Sequence, residues 1–151
     1  MLRACLLISL AACTPKPGPA APAGPVAPTA ADSIAHWKVA GHALSAHALV
    51  TETDALAWHG RAVEVTATSY QSPWSGTCDE YGTATHPRAL ADATASADIP
   101  LAAATGAGLT DPLLEVRLSC NASRTPALTL FVAPDHHAMT CWSGACYFLR
   151  P

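Results

Sequence analysis

Residues 113–120 read LLEVRLSC and give the clearest strand pattern in the chain. Apolar and polar residues alternate, so that one face of the predicted strand carries Leu114, Val116, Leu118 and Cys120. The pattern returns at residues 128–132, where Leu128, Leu130 and Val132 share a face. Two such strands in succession predict an antiparallel sheet with one face in the core.

Shorter patterns on either side predict the rest of the sheet. A first strand is expected around Trp37, and another at residues 63–67, where apolar residues again alternate with polar ones. Residues 134–137 read PDHH and are typical of a turn. Residues 139–149 favour a terminal hairpin around Trp142-Ser143-Gly144-Ala145. The chain should therefore contain four to six short strands.

Helices and loops are expected between these strands. Thr51, with an acid three residues later, is typical of a helix start, and that helix should end at Gly60. Pro100 favours a second short helix that ends near Gly106 or Gly108. Residues 71–82 are rich in turn formers and predict an ordered loop, whereas residues 89–98 predict a mobile stretch.

These elements predict an α+β domain, mostly antiparallel β, built as a small disulfide-stapled barrel or curled sheet with one or two short helices. A β-sandwich is the alternative. Half of the chain is hydrophobic, but 33 residues are alanine and only 28 are Val, Ile, Leu or Phe, so the core should be thin. Eight basic residues against eleven acidic ones exclude a nucleic-acid binder. The chain is also too short for a multidomain enzyme.

The N-terminus reads as a secretory signal peptide over residues 1–12, with Arg3 before a short apolar core. The four residues Leu10-Ala11-Ala12-Cys13 resemble the lipobox of bacterial lipoproteins. That resemblance implies cleavage before Cys13, acylation of this cysteine, and a lipid anchor in the membrane. Thr14 stands where inner-membrane lipoproteins usually carry Asp, which favours the outer membrane, facing the periplasm. The alternative is an ordinary signal peptide with a cysteine at its cleavage site.

Residues 13–33 are interpreted as the lipidated cysteine and a tether, which leaves residues 34–151 as one globular domain. Residues 14–30 read TPKPGPAAPAGPVAPTA, a composition that favours extended polyproline II. At about 3.1 Å per residue such a tether reaches roughly 50 Å. A proline-rich docking motif for a partner is the alternative.

Four cysteines remain after Cys5 and Cys13 are assigned to the leader and the anchor. An even number in an exported chain predicts disulfides, of which three pairings are possible. We favour Cys141–Cys146, because a hairpin turn sets the residues on either side of it opposite each other, and therefore Cys78–Cys120. A zinc site made of these thiolates is the alternative, although no Cys-x-x-Cys pair is present.

No pattern for catalysis or for a cofactor stands out. The seven histidines lack the spacing that sets two metal ligands on one face, although His42, His47, His136 and His137 leave metal binding by an envelope protein as an alternative. Asp135 precedes a histidine, but the chain has no Gly-x-Ser-x-Gly elbow. We therefore expect neither an enzyme nor a bound cofactor.

Aromatic residues indicate a contact surface for a protein partner in the envelope, although Trp74 can instead cover the core. The candidate residues are Tyr70, Trp74, Tyr81, Trp142, Ser143 and Tyr147. Residues 143–147, SGACY, also resemble the Ser-Gly-x-x-Tyr signature of C-type lysozyme inhibitors. In that family the serine and tyrosine help a loop enter the lysozyme cleft. Inhibition of lysozyme is therefore the alternative to a binding or structural module of unknown ligand.

Overall fold

The computed structural model describes residues 26–120 and 127–151. Its strands are β1 (Ala35–Leu44), β2 (Ala62–Val65), β3 (Ser69–Ser72), β4 (Gly76–Asp79), β5 (Tyr81–Arg88), β6 (Leu113–Cys120), β7 (Leu128–Val132), β8 (Ala138–Trp142) and β9 (Ala145–Arg150). The helices are α1 (Glu52–Leu56), α2 (Leu90–Ser96) and α3 (Leu101–Gly106), and a 3-10 helix spans Ala30–Ser33. The predicted signal peptide, Cys13 and most of the predicted tether lie outside the described residues.

The strands form one antiparallel sheet in the order β4-β3-β2-β1-β9-β8-β7-β6-β5. The two outermost strands, β4 and β5, follow each other in the chain and are joined by Glu80 alone, which has a positive φ of 59°. Strands at opposite ends of the order therefore meet at one corner, and the sheet curls into a nearly closed barrel. The predicted fold class is confirmed, with nine strands in the described residues where four to six were expected.

Both faces of the sheet bury apolar side chains. The inner face forms the main core, which includes Trp37, Val63, Val65, Val116, Leu118, Leu130 and Leu149. On the outer face, α2 and α3 cover a second cluster that includes Leu90, Ile99, Leu109, Leu113, Met139 and Phe148. Glu115 points to this outer side and is buried, and Arg117 Nε donates to its carboxylate at 2.6 Å. The alanine-rich helices allow close packing where few large side chains are available.

The structure corrects the prediction of a mobile stretch at residues 89–98, because most of it forms α2. Alanine is the best helix former. Leu90 and Ala93 bury their side chains in the cluster on the outer face of the sheet. No side chain next to the helix caps its start. Instead, Asp111 Oδ1 accepts a hydrogen bond from the Leu90 amide at 2.6 Å, across 21 residues of sequence. A local sequence window could not reveal this cap.

The predicted loop at residues 71–82 is also wrong, because β3 and β4 form a tight hairpin there and β5 begins at Tyr81. Only the turn between β3 and β4 keeps loop character, and the Ser72 hydroxyl accepts a hydrogen bond from the Ser75 amide at 3.0 Å. Short polar strands of four residues carry too little hydrophobic alternation to be recognised.

Other local predictions are confirmed, except for the end of α1. Thr51 caps α1, and the helix start carries a capping box with Asp54, but the helix ends at Leu56 and turns follow up to the predicted end at Gly60. Pro100 precedes α3, which ends at Gly106. The terminal hairpin turns at Ser143 and Gly144, both with positive φ, as a two-residue turn requires.

The first element of secondary structure in the described residues begins at Ala30, four residues before the predicted domain start at 34. The 3-10 helix has a capping box between Thr29 and Asp32, buries Ser33, and packs against β6 and β7. Its residues therefore belong to the fold and not to the tether. Among the described residues, no helix is long and apolar enough to cross a membrane.

Candidate binding site

Three aromatic side chains from separate parts of the chain pack in a row. Trp74, in the β3–β4 turn, stacks on Tyr147 of β9 with ring centroids 4.6 Å apart and planes inclined by 15°. Trp58, in the turn after α1, forms a T-shaped pair with Trp74, with ring centroids 6.2 Å apart and planes inclined by 88°. Tyr147 is fully buried, whereas both tryptophans are half-buried. The buried ring therefore supports Trp74, which in turn fixes the orientation of Trp58.

Beside these rings lies a chain of hydrogen-bonded polar groups. His42 Nε2 is 3.1 Å from Glu52 Oε1, and His42 Nδ1 is 2.8 Å from His59 Nε2. A carboxylate only accepts, so His42 donates from Nε2, and in the neutral form of its ring Nδ1 accepts from His59. The His42 side chain is 6% exposed and lies opposite Tyr147 in the β1–β9 register. Both of its ring nitrogens are engaged.

The Tyr147 hydroxyl is buried without a hydrogen-bond partner among the described residues. Burial raises the pKa of this phenol, and the carboxylate of Asp54 raises it further, because both disfavour the phenolate. Tyr147 is therefore neutral at physiological pH.

A groove opens next to the aromatic row, between the turn after α1 and the β3–β4 hairpin. Its volume is about 380 Å³, and its lining combines three apolar residues, Trp58, Ala62 and Pro73, with three polar ones, Arg61, Gln71 and Ser72. The guanidinium of Arg61 has no carboxylate within 4 Å among the described residues. The groove thus offers an aromatic side chain beside a cation that no carboxylate of the described residues pairs with.

The contact surface predicted from sequence is not a single surface. Tyr70 and Tyr147 are core residues, 2% and 0% exposed, because their positions on β3 and β9 point into the barrel.

The other aromatic candidates lie in different places. Trp74 covers the core, in agreement with the alternative prediction, and the turn that carries it borders the groove. Tyr81 is half-buried and donates its hydroxyl to the Thr66 carbonyl. Trp142 is 39% exposed on the terminal hairpin.

The turn of the terminal hairpin is braced by the segment that follows β1. The carbonyls of Ser143 and Gly144 accept hydrogen bonds from the amides of Leu49 and Ser45, each at 2.8 Å. A Cβ at Gly144 would lie 2.5 Å from the Cα of Ala48, so the contact requires glycine. This packing, together with the burial of Tyr147, argues against insertion of residues 143–147 into a lysozyme cleft.

Both predicted disulfides are present. Cys78 is bonded to Cys120, and Cys141 to Cys146. These four thiols are therefore not available to bind zinc. In the described part of the chain, no group of three His, Cys, Asp or Glu side chains can hold a metal ion.

The adjacent histidines of the β7–β8 turn point to different partners. His137 Nδ1 is 3.0 Å from Asp135 Oδ2, whereas His136 Nδ1 lies 3.9 Å from Asp32 Oδ1. These contacts hold the turn in place, as does the hydrogen bond of 2.8 Å from Trp37 Nε1 to the His136 carbonyl.

Sequence reasoning missed the residues that line the groove. Trp58 falls inside the helix predicted between Thr51 and Gly60, and Arg61 and Gln71 belong to no motif of the sequence. They come together because β2 pairs with both β1 and β3, which sets the turn before β2 beside the next hairpin. No spacing along the chain encodes that contact. Searches of protein-family models, curated proteins and solved structures find no match to this chain.

Proposed function

We propose that the chain is a lipid-anchored lipoprotein of the bacterial envelope, whose domain faces the periplasm and binds a ligand without catalysing a reaction. The groove beside the fixed aromatic row carries the proposal of binding, because a preformed concave site with a few polar groups is the usual form of a ligand site. Leu10-Ala11-Ala12-Cys13 supports the anchor, Thr14 the outer membrane, and the proline-rich segment after them a spacer.

The contacts of His42 and of the four cysteines support a non-catalytic role. His42 uses both ring nitrogens in hydrogen bonds, and the four cysteines of the domain are bridged. A general base or a nucleophile must keep one such group free to meet the substrate. The groove instead presents groups suited to recognition, an indole ring, a guanidinium and an amide.

The lipid anchor is tested by replacing the acylated residue. Cys13→Ala should abolish labelling by a radiolabelled fatty acid and release the protein from membranes, since two or more acyl chains supply the stable attachment. Cys5→Ala is the control, because Cys5 leaves with the signal peptide. Undiminished labelling of the Cys13 variant would exclude the lipobox interpretation.

Ligand binding is tested by capture from an envelope extract. Trp58→Ala should lose most of the material that the native protein retains, because it removes the aromatic wall of the groove. Trp142→Ala, which changes an exposed tryptophan outside the groove lining, should retain it. The opposite order would move the binding site to the terminal hairpin.

A further inference from the structure

We propose that the groove binds a sugar that carries a carboxylate group. This inference rests on the proposed binding role and names the ligand class for that site. The composition of the groove lining is the first argument for this ligand class. Three apolar and three polar residues suit neither a hydrocarbon nor a fully hydrated ion. A sugar ring has an apolar C–H face and polar edges, and needs both kinds of contact.

Trp58 supplies the surface for the sugar ring. An aromatic face is electron-rich, so it attracts the weakly positive C–H bonds of a saturated ring. Trp58 is held at a fixed angle by Trp74, which rests on the buried ring of Tyr147. Because the indole is positioned before the ligand arrives, binding does not need to order it.

Arg61 supplies the charge preference. Arg61 is an exposed residue of the groove lining, and no carboxylate of the described residues lies within 4 Å of its guanidinium. A guanidinium binds a carboxylate through two parallel hydrogen bonds. Gln71, exposed on β3, adds an amide that can donate to and accept from hydroxyl groups.

The surrounding charge favours a single carboxylate over a phosphate. Arg61 is the one cation of the groove lining among the described residues. A dianion would be only half neutralised by this single guanidinium. A monoanion is balanced by the one guanidinium. The volume of about 380 Å³ lies in the lower part of the range for small-molecule sites, so the ligand is small or enters by one end.

Two sources in the envelope carry this chemistry, uronic acids of polysaccharides and the lactyl carboxylate of muramic acid in glycan strands without peptides. Purified full-length protein in detergent is titrated with glucuronic acid against glucose, and with N-acetylmuramic acid against N-acetylglucosamine, by tryptophan fluorescence and calorimetry. For each acidic sugar that binds, we expect an affinity at least about tenfold higher than that of its neutral counterpart, because a charge-assisted hydrogen bond contributes that much. The acid that binds more tightly identifies the source.

The variants separate the two contacts. Arg61→Gln should remove the preference for the acid while it leaves binding of the neutral sugar unchanged, and Arg150→Gln, an exposed arginine at the end of β9, should change neither. Trp58→Ala should abolish both, and Trp58→Phe should bind with intermediate affinity, which shows that the domain still folds. Equal affinity for acid and neutral sugars, or an unchanged preference in Arg61→Gln, overturns the proposal. Loss of envelope capture in Trp58→Ala without any sugar binding leaves the binding role in place and rejects the ligand class.

Discussion

Tyr147 and Tyr81 are both tyrosines at the core, but their hydroxyl groups are in opposite situations. The Tyr81 hydroxyl donates to the Thr66 carbonyl, whereas the Tyr147 hydroxyl is buried with no partner among the described residues. An unpaired buried hydroxyl costs free energy, because it has lost its hydrogen bonds to water. The stacked ring of Tyr147 supports Trp74, so the aromatic row depends on the ring and not on the hydroxyl.

Removing each hydroxyl should therefore change stability in opposite directions. We expect Tyr81→Phe to lower the free energy of unfolding by about 1 kcal/mol, the usual net value of one hydrogen bond. Tyr147→Phe should leave it unchanged or raise it by up to about 1 kcal/mol, because a buried polar group disappears without loss of a bond. Urea denaturation measures both. A loss in Tyr147→Phe equal to that in Tyr81→Phe would mean that the Tyr147 hydroxyl has a partner.

At the scale of single elements, α1 shows how a short helix is specified locally. Thr51 accepts a hydrogen bond from the amide of Asp54, and the Asp54 carboxylate accepts from the amide and the hydroxyl of Thr51. These bonds lower the pKa of Asp54, with the Thr51 hydroxyl as the larger cause. A helix of five residues has few bonds of its own, so the box fixes where it begins.

The lowered pKa makes this contribution dependent on pH. Since the folded pKa of Asp54 lies below its ordinary value of 3.8, the stabilisation is complete above that value and is lost as pH falls through the folded pKa. Asp54→Asn should therefore be less stable than the native protein at pH 7, and the difference should shrink below about pH 4. Asp79→Asn, an exposed acid on β4, should differ little from the native protein at pH 7. A constant gap between pH 7 and pH 3 in Asp54→Asn would contradict the role of its charge.

The elements also show what can be predicted from sequence. Strand β6 can be predicted from the sequence because its inner face is consistently apolar. The last hairpin can be predicted because its turn residues and its two cysteines indicate the same pairing. Helix α2 is missed because its cap, Asp111, comes from 21 residues away. The groove is missed for the same reason, since Trp58 and Gln71 meet only through the pairing of strands. Contacts set by local spacing are readable from the chain, whereas contacts set by tertiary pairing are not, apart from the Cys78–Cys120 bridge, which follows once Cys141 is paired with Cys146.

At the scale of the whole molecule, closure of the barrel depends on one corner. Strands β4 and β5 are the ends of the sheet order, and they are linked in the chain only through Glu80. Cys78 on β4 is bonded to Cys120 on β6, which lies opposite Tyr81 in the β5–β6 register. The bridge therefore ties one end of the sheet to the strand next to the other end. The second bridge joins residues that are already paired within one hairpin.

This difference predicts which bridge matters more. In the chain-entropy model a bridge stabilises by limiting the unfolded chain, by about 4 kcal/mol for the long Cys78–Cys120 loop and about 2 kcal/mol for the short Cys141–Cys146 loop. We expect Cys78→Ala with Cys120→Ala to lower the free energy of unfolding more than Cys141→Ala with Cys146→Ala, as measured by urea denaturation. Removing both partners in each case leaves no free thiol to form a wrong pair, and alanine adds no buried polar group.

The larger loss is significant relative to the 5–15 kcal/mol that usually stabilises a domain. The first double variant should also expose the corner between β4 and β5 to proteolysis near Glu80, because the two strands are not hydrogen-bonded to each other in the sheet order. The second variant should leave that corner protected, since its hairpin keeps the β8–β9 pairing. Equal stability losses, or early cleavage at the terminal hairpin instead of near Glu80, would show that the long bridge does not hold the barrel closed.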